Sequence, residues 1–289
     1  MGIIFVDFYG VIIKFIGNSY SSPQLAYFRN FFALIPIILL LIITKDNKNI
    51  FVGISKKFLF LCFLRGISFV LMQIFYYISI INMNFATATT LTFSSPIFIV
   101  VLSMLVLKEK IGLFRWSAIF IGFGGVLFIM NPTSDLFSYI SILPLLAALC
   151  WAISNIVLKF IPEDISSVKI NFYSINFSYI GSLIILLFSS DFSPVENSFD
   201  WLLLILIGIL GGVASILFSF AYRVVSPSTL APFEYLGIPS SFILGWIFFY
   251  EAPIEQLFPG VLGIVAAGFI IIWREKKLSI GKIVSNKIH

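Results

Sequence analysis

The chain has 289 residues, of which 60% are hydrophobic, 17% aromatic and only 11% charged, with a formal net charge of +5. A soluble domain carries about a quarter charged residues, so this composition excludes one and points to a protein embedded in lipid. The basic residues are spread between apolar runs rather than gathered into one patch, which argues against a nucleic-acid partner.

A bilayer core about 30 Å thick takes roughly 20 mostly apolar residues per helix. Ten runs of that order lie between polar breaks, at 2–17, 24–44, 58–81, 85–107, 113–130, 137–160, 168–190, 199–222, 229–249 and 256–273. They are continuously apolar rather than alternating, so they predict helices and not barrel strands. The expected fold class is an all-α integral membrane bundle of ten transmembrane helices. The first run begins without a basic leading segment or a small-residue cleavage site and is expected to be retained rather than removed as a signal peptide.

The first run carries Asp7 and Lys14, seven residues or two turns apart and hence on one face. Lys14 sits in "VIIKFI", and "IVLKFI" returns 145 residues later with Lys159. Each lysine either snorkels to headgroups or faces inward. Arg29 in the second run and Arg65 in the third also lie within apolar segments, where a charge is costly and needs a partner or water. Along the third run, Arg65, Phe69, Met72, Gln73 and Tyr76 form one polar and aromatic stripe at helical spacing. Arg65 could hold an anionic group or simply snorkel beside Lys56 and Lys57. Cys62 and Cys150 match no metal or disulfide spacing.

In the fourth run, the hydroxyls of "ATATTLTFSS" can bond carbonyls of their own helix, and Pro96 frees a backbone group near mid-run. The sixth run offers Trp151, Ser154 and Asn155, the amide serving either a substrate or a neighbouring helix. Gly208 and Gly212 of the eighth run read as close-packing positions. The ninth opens "STLAPFEYLGIPSSFILGW", with Glu234 about one turn into the membrane and Tyr235 beside it. An intramembrane carboxylate is a functional candidate by default. Arg65 or Arg223 is its expected partner, and a purely structural ion pair is the competing account. Glu109 and Glu251 end the fourth and ninth runs at the interface.

Fifteen of the eighteen Lys and Arg fall in alternate gaps and in the tail "REKKLSIGKIVSNK", while the opposite gaps hold acidic residues and no Lys or Arg. The positive-inside rule then predicts both termini in the cytoplasm. At the same offset of 145, Ser21 falls on Ser166, Phe28 on Tyr173, Gly66 on Gly211 and Tyr77 on Tyr222; after a gap of about three residues, Glu109 falls on Glu251. Two five-helix copies are expected, at 1–131 and 137–274, followed by a basic tail at 275–289. Five is odd, so the second copy enters from the opposite face, an inverted repeat of the kind that secondary transporters use. The only histidine is His289, and no HExxH, CxxC or phosphate-binding glycine loop occurs. These residues argue against a membrane-embedded enzyme.

The stretches "LAYFRNFFALIPIILL", "LRG", "LKEKIGLFRWSAIFIGFGGVLFIMNP", "AYR", "APFEY", "GWIFFYEAPI" and "WRE", in this order and spacing, resemble the drug/metabolite transporter superfamily with two EamA-type repeats. The resemblance implies ten helices around a central cavity, alternating access and a bacterial inner-membrane location. "FRNFFAL", "LRG" and "APFEY" are similar to a branch with S-adenosylmethionine and riboflavin uptake carriers. Arg29, Arg65, Tyr222, Arg223, Glu234, Tyr235 and Glu251 fall on that branch's recurrent polar positions. The sequence departs at "FFYEAP", where Tyr250 stands in place of the usual glycine.

The expected function is secondary transport of a small polar metabolite, S-adenosylmethionine-like, a vitamin or amino-acid-derived. Arg65, Phe69, Gln73, Tyr76, Trp151, Asn155, Glu234 and Tyr235 are the substrate-binding candidates, and Asp7, Lys14, Arg29, Arg223 and Glu251 the coupling or gating candidates. Neither a cofactor nor a metal is expected, and the assembly is a monomer or homodimer in the lipid bilayer. The alternatives are an exporter of amino acids or drugs on the same fold, a channel, or an enzyme in the membrane. A carrier saturates and exchanges, a channel does neither, and an enzyme alters its substrate.

Overall fold

The computed structural model describes residues 2–44, 50–130, 139–189, 191–250 and 266. Its helices are α1 (Gly2–Ile16), α2 (Ser22–Ile43), α3 (Lys56–Asn82), α4 (Phe85–Thr92), α5 (Ser95–Val106), α6 (Leu113–Met130), α7 (Ile142–Val157), α8 (Ser167–Ser189), α9 (Ser198–Val224), α10 (Pro227–Leu230) and α11 (Gly237–Phe249). Tighter 3₁₀ turns cover Tyr139–Ser141, Leu158–Phe160 and Ala231–Leu236. No strand occurs among the described residues. Among the described residues, six stretches are long and apolar enough to cross a bilayer: Ser22–Ile43, Lys56–Asn82, Thr87–Val106, Ile142–Phe160, Ser167–Ser189 and Ser198–Val224. Glu251, the tail and, apart from residue 266, the expected run at 256–273 lie outside the described residues.

The helices start where the sequence supplies side-chain acceptors for orphan amide groups. Ser21 accepts from the Gln24 amide at the head of α2, and Ser166 accepts from the Lys169 amide at the head of α8. The two caps are 145 residues apart, as are the two amides. Ser55 and Asn197 cap α3 and α9 in the same manner. Two of the expected runs are broken. The fourth parts at Phe93 and Ser94, because Pro96 in the first turn of α5 has no N–H to continue the ladder of α4. The ninth becomes α10, a 3₁₀ turn and α11, with Pro232 and Pro239 each removing a donor.

Packing runs α2 against α8 and α9, α3 against α7 and α8, and α1 against α9. The close contacts rest on glycine. A Cβ on Gly66 of α3 would stand 2.7 Å from both the Ser174 carbonyl oxygen and Phe177 Cβ of α8. On α9, Gly208 lies against Phe32, Gly211 against Arg29 and Gly212 against Ala33 and Pro36 of α2. The α3–α8 and α9–α2 contacts exchange under the offset: Gly66 plus 145 is Gly211, and Ser174, which faces Gly66, minus 145 is Arg29, which faces Gly211. The two glycine carbonyls also correspond, with Ser178 Oγ donating to Gly66 at 2.8 Å and Arg29 Nη2 donating to Gly211 at 2.7 Å.

Polarity runs inside out. Phe188 and Leu187 are 87% and 70% exposed on α8, whereas Arg29, Asn30, Gln73 and Asn171 are buried. Water would reverse that arrangement, and lipid tolerates it. Two polar networks fill the interior. Asn30 Nδ2 donates to Gln73 Oε1 at 2.9 Å, beside the Arg29 guanidinium. Arg65 donates to Asn171 Oδ1 at 3.3 Å and to Ser219 Oγ at 2.6 Å. In the α1–α2 connection, the Tyr20 hydroxyl donates to Asp200 at 2.7 Å. Burial and that carboxylate push the Tyr20 phenol up to about 12, which keeps it a donor at any physiological pH.

Candidate functional site

Glu234 stands on the 3₁₀ turn Ala231–Leu236 and is 6% exposed. Three elements supply donors to its carboxylate. Tyr222 Oη of α9 donates to Oε1 at 2.6 Å, Trp151 Nε1 of α7 to the same oxygen at 2.8 Å, and Ser95 Oγ of α5 to Oε2 at 2.7 Å. Among the described residues, no arginine reaches it. This corrects the expected pairing with Arg65 or Arg223. Arg65 is drawn to α8 and α9 by Asn171 and Ser219, while Arg223 donates to the carbonyls of Pro162 and Glu163 at 2.9 and 3.0 Å. Tyr222 and Arg223 are adjacent on α9 and therefore point about 100° apart, so the tyrosine alone faces the glutamate. The expectation of a helical turn at Glu234 also fails, because the prolines hold the segment as a 3₁₀ turn with a different side-chain period.

Asp7 of α1 accepts a hydrogen bond from Ser240 Oγ of α11. Asp7 and Glu234 line one partly open pocket of about 90 Å³, apolar with a few directed polar groups in the manner of small-molecule sites. Its wall is largely aromatic, with Tyr9, Tyr76, Phe93, Trp151 and Phe218, and Thr89, Thr92 and Ser95 add hydroxyls. Trp151 and Phe218 meet edge to face at 4.8 Å between centroids. A second partly open pocket, of about 170 Å³, lies toward Gly2 and Phe233, and it shares Ile3, Phe218 and Glu234 with the first. Those three residues form the partition between them.

The structure thus brings Tyr76, Trp151, Glu234 and Asp7 together around one space. The other sequence candidates among the described residues lie elsewhere. Arg29 lies 4.8 Å over the Phe69 ring, Gln73 pairs with Asn30, and Asn155 donates to the Trp151 carbonyl of its own helix. Tyr235 packs against α6 at Gly122, where a Cβ would stand 2.5 Å from its ring, and donates to the Ile119 carbonyl. Tyr9, Phe93, Ser95 and Phe218 line the cavity and were not expected there. Ser95 had a signal in its position before Pro96; Phe218 had none among 34 phenylalanines.

Both repeated lysines cap a helix end. Lys14 donates to the Met83 carbonyl at the C-terminus of α3 at 2.9 Å, and Lys159 donates to the Arg223 carbonyl at the C-terminus of α9 at 3.1 Å. Cations favour helix C-termini by about 0.3–1 kcal/mol. Lys14 also lies 5.1 Å from the Phe249 ring centroid. Lys14→Met is therefore expected to lower the thermal midpoint in detergent more than Lys159→Met; equal midpoints for both variants and the parent would remove the capping role.

The EamA-like transporter family matches residues 1–131 and 138–273. An S-adenosylmethionine uptake transporter of Rickettsia bellii (strain RML369-C) is 28% identical over 275 residues, covering 94% of this chain and 91% of that protein. A riboflavin transporter of Vibrio cholerae serotype O1 is 32% identical over 188 residues, covering 65% of this chain and 62% of that protein. A solved crystal structure, 15% identical, superposes with a TM-score of 0.68 over 96% of this chain and 98% of the other, a likeness of fold.

Proposed function

The chain belongs to the EamA-like transporter family, and on that premise we propose that it is a secondary carrier moving a small polar metabolite across a bacterial cytoplasmic membrane by alternating access. The six bilayer-length stretches among its described residues and its relatives make it a multi-pass membrane protein whose substrate is a small molecule. The observation that carries the finer reading is the cavity between Asp7 and Glu234, lined by residues of α1, α3, the α4–α5 break, α7, α9 and the 3₁₀ turn. Carriers bind in such a space, partly apolar with a few directed polar groups, where two halves of an inverted repeat meet.

Two five-helix halves, related by the 145-residue offset and inverted in the membrane with both termini cytoplasmic, account for the exchangeable α3–α8 and α9–α2 contacts. The substrate is S-adenosylmethionine-like, a vitamin or amino-acid-derived, a range that the relatives' names support. Proteoliposomes loaded from a mixed metabolite pool test this. Mass spectrometry should find a compound of that range accumulating with saturation and chemically unchanged. Entry that rises linearly with concentration, or a chemically altered product, contradicts the carrier.

A further inference from the structure

We propose that the cavity is built for an organic cation, with Glu234 and Asp7 as two anionic poles and Tyr76, Phe93, Trp151 and Phe218 as an aromatic wall. The assignment deepens the carrier reading and rests on it for the transport step. Among the described residues, the cavity lining holds two carboxyl groups, Asp7 and Glu234, and no lysine or arginine. Their hydrogen-bond partners are neutral: Tyr222, Trp151 and Ser95 for Glu234, and Ser240 for Asp7. Neutral donors orient a carboxylate, yet they leave its charge uncancelled, and in a poorly solvated cavity that charge attracts a cation far more strongly than it would in water.

The two buried arginines face elsewhere. Arg29 spends its donors on Gly211, Ser215 and Asn30 and lies over the Phe69 and Tyr9 rings. Arg65 is held by Asn171 and Ser219. Neither lines the cavity. Aromatic faces add a second preference of the same sign, because the ring quadrupole attracts ammonium and sulfonium groups. An anion would meet two like charges, and a neutral ring would leave both carboxylates unmatched.

The test uses the full chain in nanodiscs and isothermal titration with matched probes. Choline is set against its neutral carbon isostere, S-methylmethionine against methionine, and S-adenosylmethionine against its thioether counterpart, with riboflavin and citrate as a neutral ring and an anion. At least one cationic member should bind, and its partner about tenfold more weakly or less. Glu234→Gln should weaken that cation by about a hundredfold and Asp7→Asn by about tenfold, with thermal midpoints attesting folding, while Glu163→Gln on the exposed α7–α8 connection should leave it untouched. Equal affinity within the pairs, tighter binding of riboflavin or citrate, or no binding of any cation at millimolar concentration overturns the assignment. Cation binding without saturable flux would instead overturn the carrier and leave the site. Saturable flux of riboflavin without cation binding would do the reverse.

Discussion

Glu234→Gln is expected to reduce saturable uptake by roughly a hundredfold while the protein still folds as a monodisperse bundle. Glutamine matches the shape of glutamate but differs in two respects. It removes the charge that the bound substrate meets, and hydrogen bonds to a charged group contribute about 1.5–3 kcal/mol. It also turns an NH₂ toward a set of donors, Tyr222, Trp151 and Ser95, so at least one of them loses its acceptor. A loss near 2.7 kcal/mol corresponds to about two decades in affinity. Removing the outlying donor alone, by Ser95→Ala, should cost only about tenfold by the same reasoning. Initial rates in proteoliposomes measure both. Wild-type uptake by Glu234→Gln would move the substrate site away from the 3₁₀ turn.

Gly208→Ala is expected to have the largest effect on folding. A Cβ at that position would overlap Phe32 Cβ and approach its Cα at 2.9 Å. Backbone cannot rotate aside, so α2 and α9 must separate. Overpacking of this kind costs about 1–3 kcal/mol, and here it falls on a contact that binds α2 to α9. Because the overlap is with Cβ and Cα, adding Phe32→Ala should not restore the midpoint. At Gly124, where a Cβ meets no atom of the described residues within 4 Å, the same substitution should be neutral. Thermal unfolding in detergent with gel filtration reads all three. Equal midpoints for Gly208→Ala and Gly124→Ala would refute the packing account.

Much of the bundle could be read before any coordinates, for a physical reason. Apolar runs set helix positions in lipid because no other solvent satisfies the backbone there, and Ser21, Ser55, Ser166 and Asn197 mark where four of the helices begin. Glu234, Tyr76, Trp151 and Asp7 were conspicuous as polar or amphipathic groups inside such runs. The partners were not. Arg29 and Arg65 look like ligand-binding groups in the sequence because their acceptors include a glycine carbonyl, which no side chain announces, and serines and asparagines from helices more than a hundred residues away. The segment around Glu234 reads as helix until Pro232 and Pro239 are seen to leave it as 3₁₀, and that change of period turns the carboxylate from the arginines to Tyr222. Phe218 carries no distinguishing mark, since a phenylalanine facing a cavity and one facing lipid are the same letter.

The most direct test of the carrier reading is counterflow. Proteoliposomes preloaded with unlabelled S-adenosylmethionine and diluted into a trace of labelled compound should show a transient accumulation above the outside concentration. Glu234→Gln should abolish that overshoot. A flux that never exceeds equilibrium and ignores the internal load, for this compound and for every cation that binds the cavity, would contradict alternating access.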